Sequence, residues 1–205
     1  MPAKLSRETI VDAAFELLDA AGIDGLTVRA LATKLGVKAP ALYWHVESKQ
    51  ALLDEMGTEV ARRIAERANS EPYGDSLAEA LRTYAAVARE EYLAHRDGAR
   101  TFAGTRLVDP EVLRRQEGAL RHWAERGIPL ERIIDAYDIV TAFVVGFVIE
   151  EQDRQDAARY SLPERDAAVG ADHPLVVAAG HHGFRPAQQR FDEQLAVMVT
   201  AVAGR

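Results

Sequence analysis

The sequence predicts an all-α protein, and three observations carry that expectation. Apolar residues recur at helical spacing, cap residues and glycines punctuate the segments, and no stretch alternates apolar with polar as a half-buried strand would. The expected layout is a three-helix head over residues 1–47, containing a helix-turn-helix. A connecting helix and a larger helical body over residues 48–205 follow.

Each element has its own signals. Ser6 is placed to cap a first helix whose Ile10, Val11, Ala14, Leu17, Leu18 and Ala21 share a face, with Gly22 as its left-handed end. Thr27 caps a second helix with Val28, Leu31, Ala32 and Leu35 inward, closed by Gly36. Pro40 sits in the first turn of a third, where its missing N–H costs nothing, and that helix ends by Val46. Ser48 caps a long fourth helix carrying Leu52, Leu53, Met56, Val60 and Ile64. Pro72 and Gly74 break the pattern before a fifth helix, begun by Asp75 or Ser76 and bearing Leu77, Leu81, Tyr84, Ala88 and Tyr92.

Arg96-Asp97-Gly98 reads as a turn. Asp109-Pro110 opens one helix with Val112, Leu113, Leu120 and Trp123, ended by Gly127. Pro129 opens a long helix that is apolar almost all round from Ile133 to Ile149. The polar stretch from Glu151 to Gly183, with Pro163, Gly170, Pro174 and Gly180, reads as a long loop with room for a short helix. The last helix starts near Pro186 and carries Phe191, Leu195, Met198, Val199 and Val202. A helix apolar all round must be buried. Part of that surface is expected in a homodimer interface built as a four-helix bundle.

Composition narrows the function classes. Nearly half of the 205 residues are apolar, yet no run reaches the roughly 18 residues of a membrane span. Lys4, Arg7, Glu8 and Asp12 interrupt any N-terminal apolar leader, so a cytoplasmic protein with no membrane partner is expected. Cysteine is absent, which removes disulfides, thiolate metal sites and a cysteine nucleophile. The net charge of −7 is unevenly spread. Residues 1–50 hold six bases and six acids, whereas residues 25–50 hold four bases and one acid. An acidic body with a locally basic tip suits a protein that touches DNA at one end. Tyr43, Trp44 and His45 are consecutive and cannot all face inward on a helix. Such a helix is what a helix-turn-helix lays in the major groove.

Residues 5–55 resemble the N-terminal domain of TetR-type transcriptional regulators. The resemblance rests on Ile10-Val11-Asp12-Ala13-Ala14, Gly22-Ile23-Asp24-Gly25-Leu26-Thr27-Val28-Arg29, Leu35-Gly36-Val37, Leu42-Tyr43-Trp44-His45-Val46 and Lys49-Gln50-Ala51-Leu52-Leu53-Asp54. The Leu-Tyr-Trp-His-Val segment resembles the subgroup of the tetracycline repressor. Arg96-Asp97-Gly98-Ala99, Gly104-Thr105-Arg106 and Gly146-Phe147-Val148-Ile149-Glu150-Glu151-Gln152 extend the likeness into the body. It implies an all-helical homodimer that grips a pseudo-palindromic double-stranded operator and answers to a small-molecule effector, most often as a repressor.

The resemblance implies a DNA-contacting set of Thr27, Arg29, Lys38, Ala39, Pro40, Ala41, Tyr43, Trp44, His45 and Lys49. An arginine at position 29 can bond guanine O6 and N7 together. Pro40, Ala41 and Tyr43 match residues lying against thymine methyls and backbone, Trp44 and His45 match groups at phosphate, and Lys49 is placed for a salt-sensitive phosphate contact. Lys34 is a further phosphate candidate. Ala39 and Ala41 replace a glutamine and a threonine of the tetracycline repressor, so the operator should differ at those base pairs.

For the body, the resemblance implies an effector site of Tyr84, Ala88, Phe102, Thr105, Arg106, Leu113, Gln116, Ala119, Trp123, Ile134, Tyr137 and Glu150. The drug-binding pattern of the tetracycline repressor is not kept. Phe102 stands where a metal-binding histidine would, and Ala65, Tyr84 and Ala88 stand near the positions of a ring-binding histidine, asparagine and phenylalanine. Hence neither tetracycline nor magnesium is expected, nor any other cofactor or metal. His173, His181 and His182 lie beside Asp172 without ligand spacing and read as solvated loop residues. For enzymatic work only Glu150, Glu151 and those histidines could serve, and no nucleophile elbow, phosphate loop or metal-ligand helix motif appears. No catalytic residue is expected.

Overall fold

The computed structural model describes residues 5–69, 72–154 and 161–204. Lys4 and residues 155–160 of the expected loop lie outside them. The described residues form helices only. The head holds α1 (Arg7–Gly25), α2 (Val28–Leu35) and α3 (Ala39–Tyr43), and α4 (Lys49–Ala68) leads out of it. The body comprises α5 (Leu77–Leu93), α6 (Gly98–Phe102), α7 (Pro110–Arg114), α8 (Gln116–Ala124), α9 (Leu130–Arg154), α10 (Leu162–Val169), α11 (Pro174–Gly183) and α12 (Ala187–Ala203). No helix among the described residues is long and apolar enough to cross a membrane.

The expected caps form. The Ser6 hydroxyl accepts from the Thr9 N–H while the Thr9 hydroxyl accepts from the Ser6 N–H, a capping box. Thr27, Ser48 and Ser76 accept from the backbone N–H groups of Ala30, Ala51 and Glu79. Each such cap contributes about 1 kcal/mol. One core runs through head and body. In the head, Ile10, Ala14, Leu18, Leu26, Leu31 and Leu42 meet Leu52 and Met56 of α4, all buried. Further along, α4 packs against α5, α6 and α7, so this one helix belongs to both lobes.

A second seam joins head to body. The backbone turns left-handed at Gly22 (φ 70°), yet helical bonding resumes to Gly25, so α1 kinks there rather than ending. The kink frees the Ile23 N–H, which the Asp97 carboxylate accepts at 3.1 Å from the α5–α6 turn. Asp19 of α1 accepts from the Arg96 N–H and lies 3.1 Å from Nδ1 of His95, whose ring stacks on Phe15. The Gln152 amide near the end of α9 holds the His95 carbonyl at 2.8 Å.

Two segments differ from expectation. The single helix expected after Asp109-Pro110 is divided at Arg115 into α7 and α8. The stretch from 151 to 183 is largely helical rather than a loop: α9 continues to Arg154, and α10 and α11 follow. α10 and α11 pack on each other, and the Arg165 guanidinium reaches the Val176 carbonyl at 2.9 Å. His181 pairs with Asp166 at 2.7 Å, and His182 contacts the Arg185 guanidinium. Among the described residues no group of three ligating side chains is placed to hold a metal. α9 buries Ile133, Ala136, Val140, Val144, Phe147 and Val148 but leaves Ile134 and Ile139 exposed, and α12 leaves Val197 exposed.

Candidate DNA-reading face and interior cavity

The outward face of the head follows from where its core residues sit. On α3 and the turn after it, Leu42 and Val46 are buried one helical turn apart. Their neighbours must therefore face out: Tyr43 is 51% and Trp44 90% exposed, with His45 half-buried. The turn is held by Leu42, whose carbonyl accepts from the N–H groups of His45 and Val46 at 2.9 and 2.8 Å. Gly36, left-handed at φ 66°, makes the corner that brings α3 across α2. Thr27, Arg29, Lys38 and Pro40 are exposed on this side, and Ala39 and Ala41 are half-buried. Arg29 and Lys38 make no ion pair among the described residues. Lys34 is paired with Glu16 at 2.7 Å. Lys49 donates to the Ile23 carbonyl at 2.9 Å, which pins the start of α4 to the end of α1 and leaves its two other N–H bonds free.

Behind α4 the body holds two adjacent chambers of about 220 and 180 Å³, both open to the surface. Asn69, Tyr84 and Gln116 line both, so the two share one side. The C-terminal half of α4 supplies Val60, Ile64 and Ala65 to the first, opposite Tyr92, Phe102 and Val112. The second lies between α8 and α9 and is lined by Ala119, Leu120, Ile134, Tyr137, Asp138 and Thr141. Burial pushes the Tyr84 and Tyr92 phenols up and that of Tyr137 to about 12, so all three stay neutral at physiological pH.

The chambers collect seven of the expected body residues: Tyr84, Phe102, Thr105, Gln116, Ala119, Ile134 and Tyr137. Five others stand elsewhere. Ala88 and Trp123 are buried in packed interior, the Trp123 ring edge-on to His122. Leu113 is half exposed because the short α7 turns Val112 inward in its place. Arg106 borders an outer cleft beside Trp44 and Asp54. Glu150 lies further along α9, paired with Arg154 and facing Arg190. Sequence reasoning missed Asn69, Leu107, Asp138 and Thr141 as wall residues. It had found Val60 and Ile64 only as an apolar stripe.

The loop after α6 ties the chambers to the head end of α4. Its Thr105 borders the first chamber, the Arg106 N–H bonds the Asp54 carboxylate at 3.1 Å, and the Val108 N–H bonds the Thr58 hydroxyl at 3.0 Å. This close approach requires Gly57, since a Cβ there would collide with the Thr105 hydroxyl.

Comparison with known proteins identifies the family. Residues 10–56 match the family model described as bacterial regulatory proteins, tetR family, and residues 70–203 match the tetracyclin repressor-like, C-terminal domain. The chain is 37% identical over 211 residues to the class D tetracycline repressor protein of Escherichia coli, covering 98% of this chain and 96% of that protein. A possible TetR family transcriptional regulator from Streptomyces coelicolor A3(2) superposes with a TM-score of 0.82 at 30% identity, covering 96% of this chain and 98% of that one. ActR of Streptomyces coelicolor, solved in complex with actinorhodin, gives 0.82 at 25% identity over 98% and 96%. Two family models that together span most of the chain, and a curated relative aligned almost end to end, place this protein in the TetR family of DNA-binding transcriptional regulators.

Proposed function

We propose that the protein is a homodimeric repressor, acting in the cytoplasm, that binds a pseudo-palindromic operator and leaves it when a small molecule other than tetracycline fills the chambers behind α4. The observation that carries this is the double membership of α4. Its first turn is bound to the head through Lys49 and Ile23, and its second half is a wall of the first chamber. A ligand that displaces that wall must also displace the head. By linkage, DNA then weakens ligand binding by the same factor.

In this reading residues 1–47 read DNA and residues 48–205 bind the effector and the partner subunit. Arg29 and Tyr43 contact bases, and Lys38, Trp44, His45 and Lys49 hold phosphates. Tetracycline is excluded from the proposal because Phe102 cannot ligate a metal where the chelate would need an imidazole. The exposed Ile139 and Val197, on the mutually packed α9 and α12, support a dimer interface, since large exposed apolar side chains on neighbouring helices are normally covered.

The test is a gel-shift titration of the full chain against DNA from upstream of its own coding sequence. A competitor-resistant shift that weakens steeply with salt is expected. Absence of sequence-specific binding to that DNA and to a random operator library overturns the proposal.

A further inference from the structure

Among the described residues, no lysine or arginine lines either chamber, and Asp138 is the one charged group at their walls. Asp138 makes no ion pair among the described residues. Proton counting sets the polarity of the groups beside it. The Thr141 hydroxyl donates its single proton to the Tyr137 carbonyl at 2.7 Å. It can therefore only accept from Tyr84, whose hydroxyl lies 2.7 Å away. The Tyr84 oxygen is left with acceptor lone pairs alone. Its ring meets that of Tyr137 edge to face, with centroids 5.2 Å apart.

An anionic ligand would find no cation here and would approach a carboxylate. A cation would find the carboxylate, an accepting phenol oxygen and two aromatic rings. We infer that the chambers take an amphiphilic organic cation, an aromatic body bearing a protonated amine, with the ammonium between Asp138 and the rings of Tyr84 and Tyr137. The aromatic body reaches past the shared side into the first chamber, beside Phe102 and Tyr92. This inference rests on the reading of the chambers as the effector site and adds the chemical class of the effector.

The test is calorimetric titration of the full chain, without DNA, with naphthylmethylamine, naphthylmethanol and naphthoate, which share one ring system and differ in charge. The amine is expected to bind about tenfold more tightly than the alcohol, and naphthoate least of all. Asp138→Asn, a change at an exposed position, is expected to remove the preference for the amine over the alcohol. Naphthoate binding as tightly as the amine, no binding by any of the three, or an amine preference that survives Asp138→Asn overturns the inference. Adding the amine to the protein–operator complex separates the two readings. An amine that binds in the calorimeter without releasing DNA removes the effector role and leaves the ligand class standing.

Discussion

In the proposed contact set, single side chains divide into groups that read sequence and groups that hold on. Arg29 is exposed and free to fork onto a base, so Arg29→Ala is expected to cost about 1–3 kcal/mol per half-site, concentrated at one base pair. Lys38→Ala should instead weaken all DNA alike and lower the salt slope by about 1 per half-site. Salt titrations on operator and scrambled DNA tell the two apart. In the body the titrating groups are the buried phenols. Tyr137 rises from an ordinary value near 10 to about 12, and Tyr84 and Tyr92 shift the same way. A raised folded value contributes stability that is complete below pH 10 and is lost as pH climbs from about 10 to 12. Phenolate absorbance should accordingly show these three tyrosines ionising late, together with loss of helical circular dichroism. The outward position of Tyr43 and Trp44 was legible because three consecutive side chains on a helix cannot all face inward, and Leu42 and Val46 take the buried positions around them. The wall residues Asn69, Asp138 and Thr141 were not, because a cavity leaves no period in the sequence.

At the scale of elements, legibility tracked burial. α1, α4, α5 and α12 each bury a stripe, and their apolar spacing gave them away. α10 buries no residue and α11 only Gly180, so the stretch looked like a loop although Ser161 caps α10 as a helix start should. Distance along the chain hid the other junction. Nothing in the spacing of Asp19, His95 and Asp97 announces that residues more than seventy positions apart meet. Asp19→Ala removes the acceptor for the Arg96 N–H and the partner of His95. Because Asp19 is partly exposed, a loss of about 1–2 kcal/mol is expected in urea unfolding. Amide hydrogen exchange should accelerate in α1–α3 more than in α5 or α9, as the second seam between head and body loses part of its contacts while the Asp97–Ile23 bond remains.

For the molecule as a whole, the proposed dimer makes affinity depend on two heads acting together. Val197 is 73% exposed on α12, so Val197→Glu should leave the helical fold intact and place a charge in the proposed interface. Sedimentation should then report half the mass, and operator affinity should drop by about a hundredfold or more as the half-sites bind independently. The all-α plan and the head-to-body order were readable from the outset, while the way α4 serves both lobes appeared only in three dimensions. One further property follows from the chain's two tryptophans. Trp44 stands 90% exposed on the face proposed to meet DNA, and Trp123 is 1% exposed on α8, the helix that also supplies Gln116 and Ala119 to the chamber walls. The unmodified protein therefore carries two optical probes with separable emission. The red-shifted, acrylamide-quenchable signal of Trp44 should be shielded by operator, and the blue, protected signal of Trp123 should respond to events in the body, so that grip and release can be followed in one cuvette without a label.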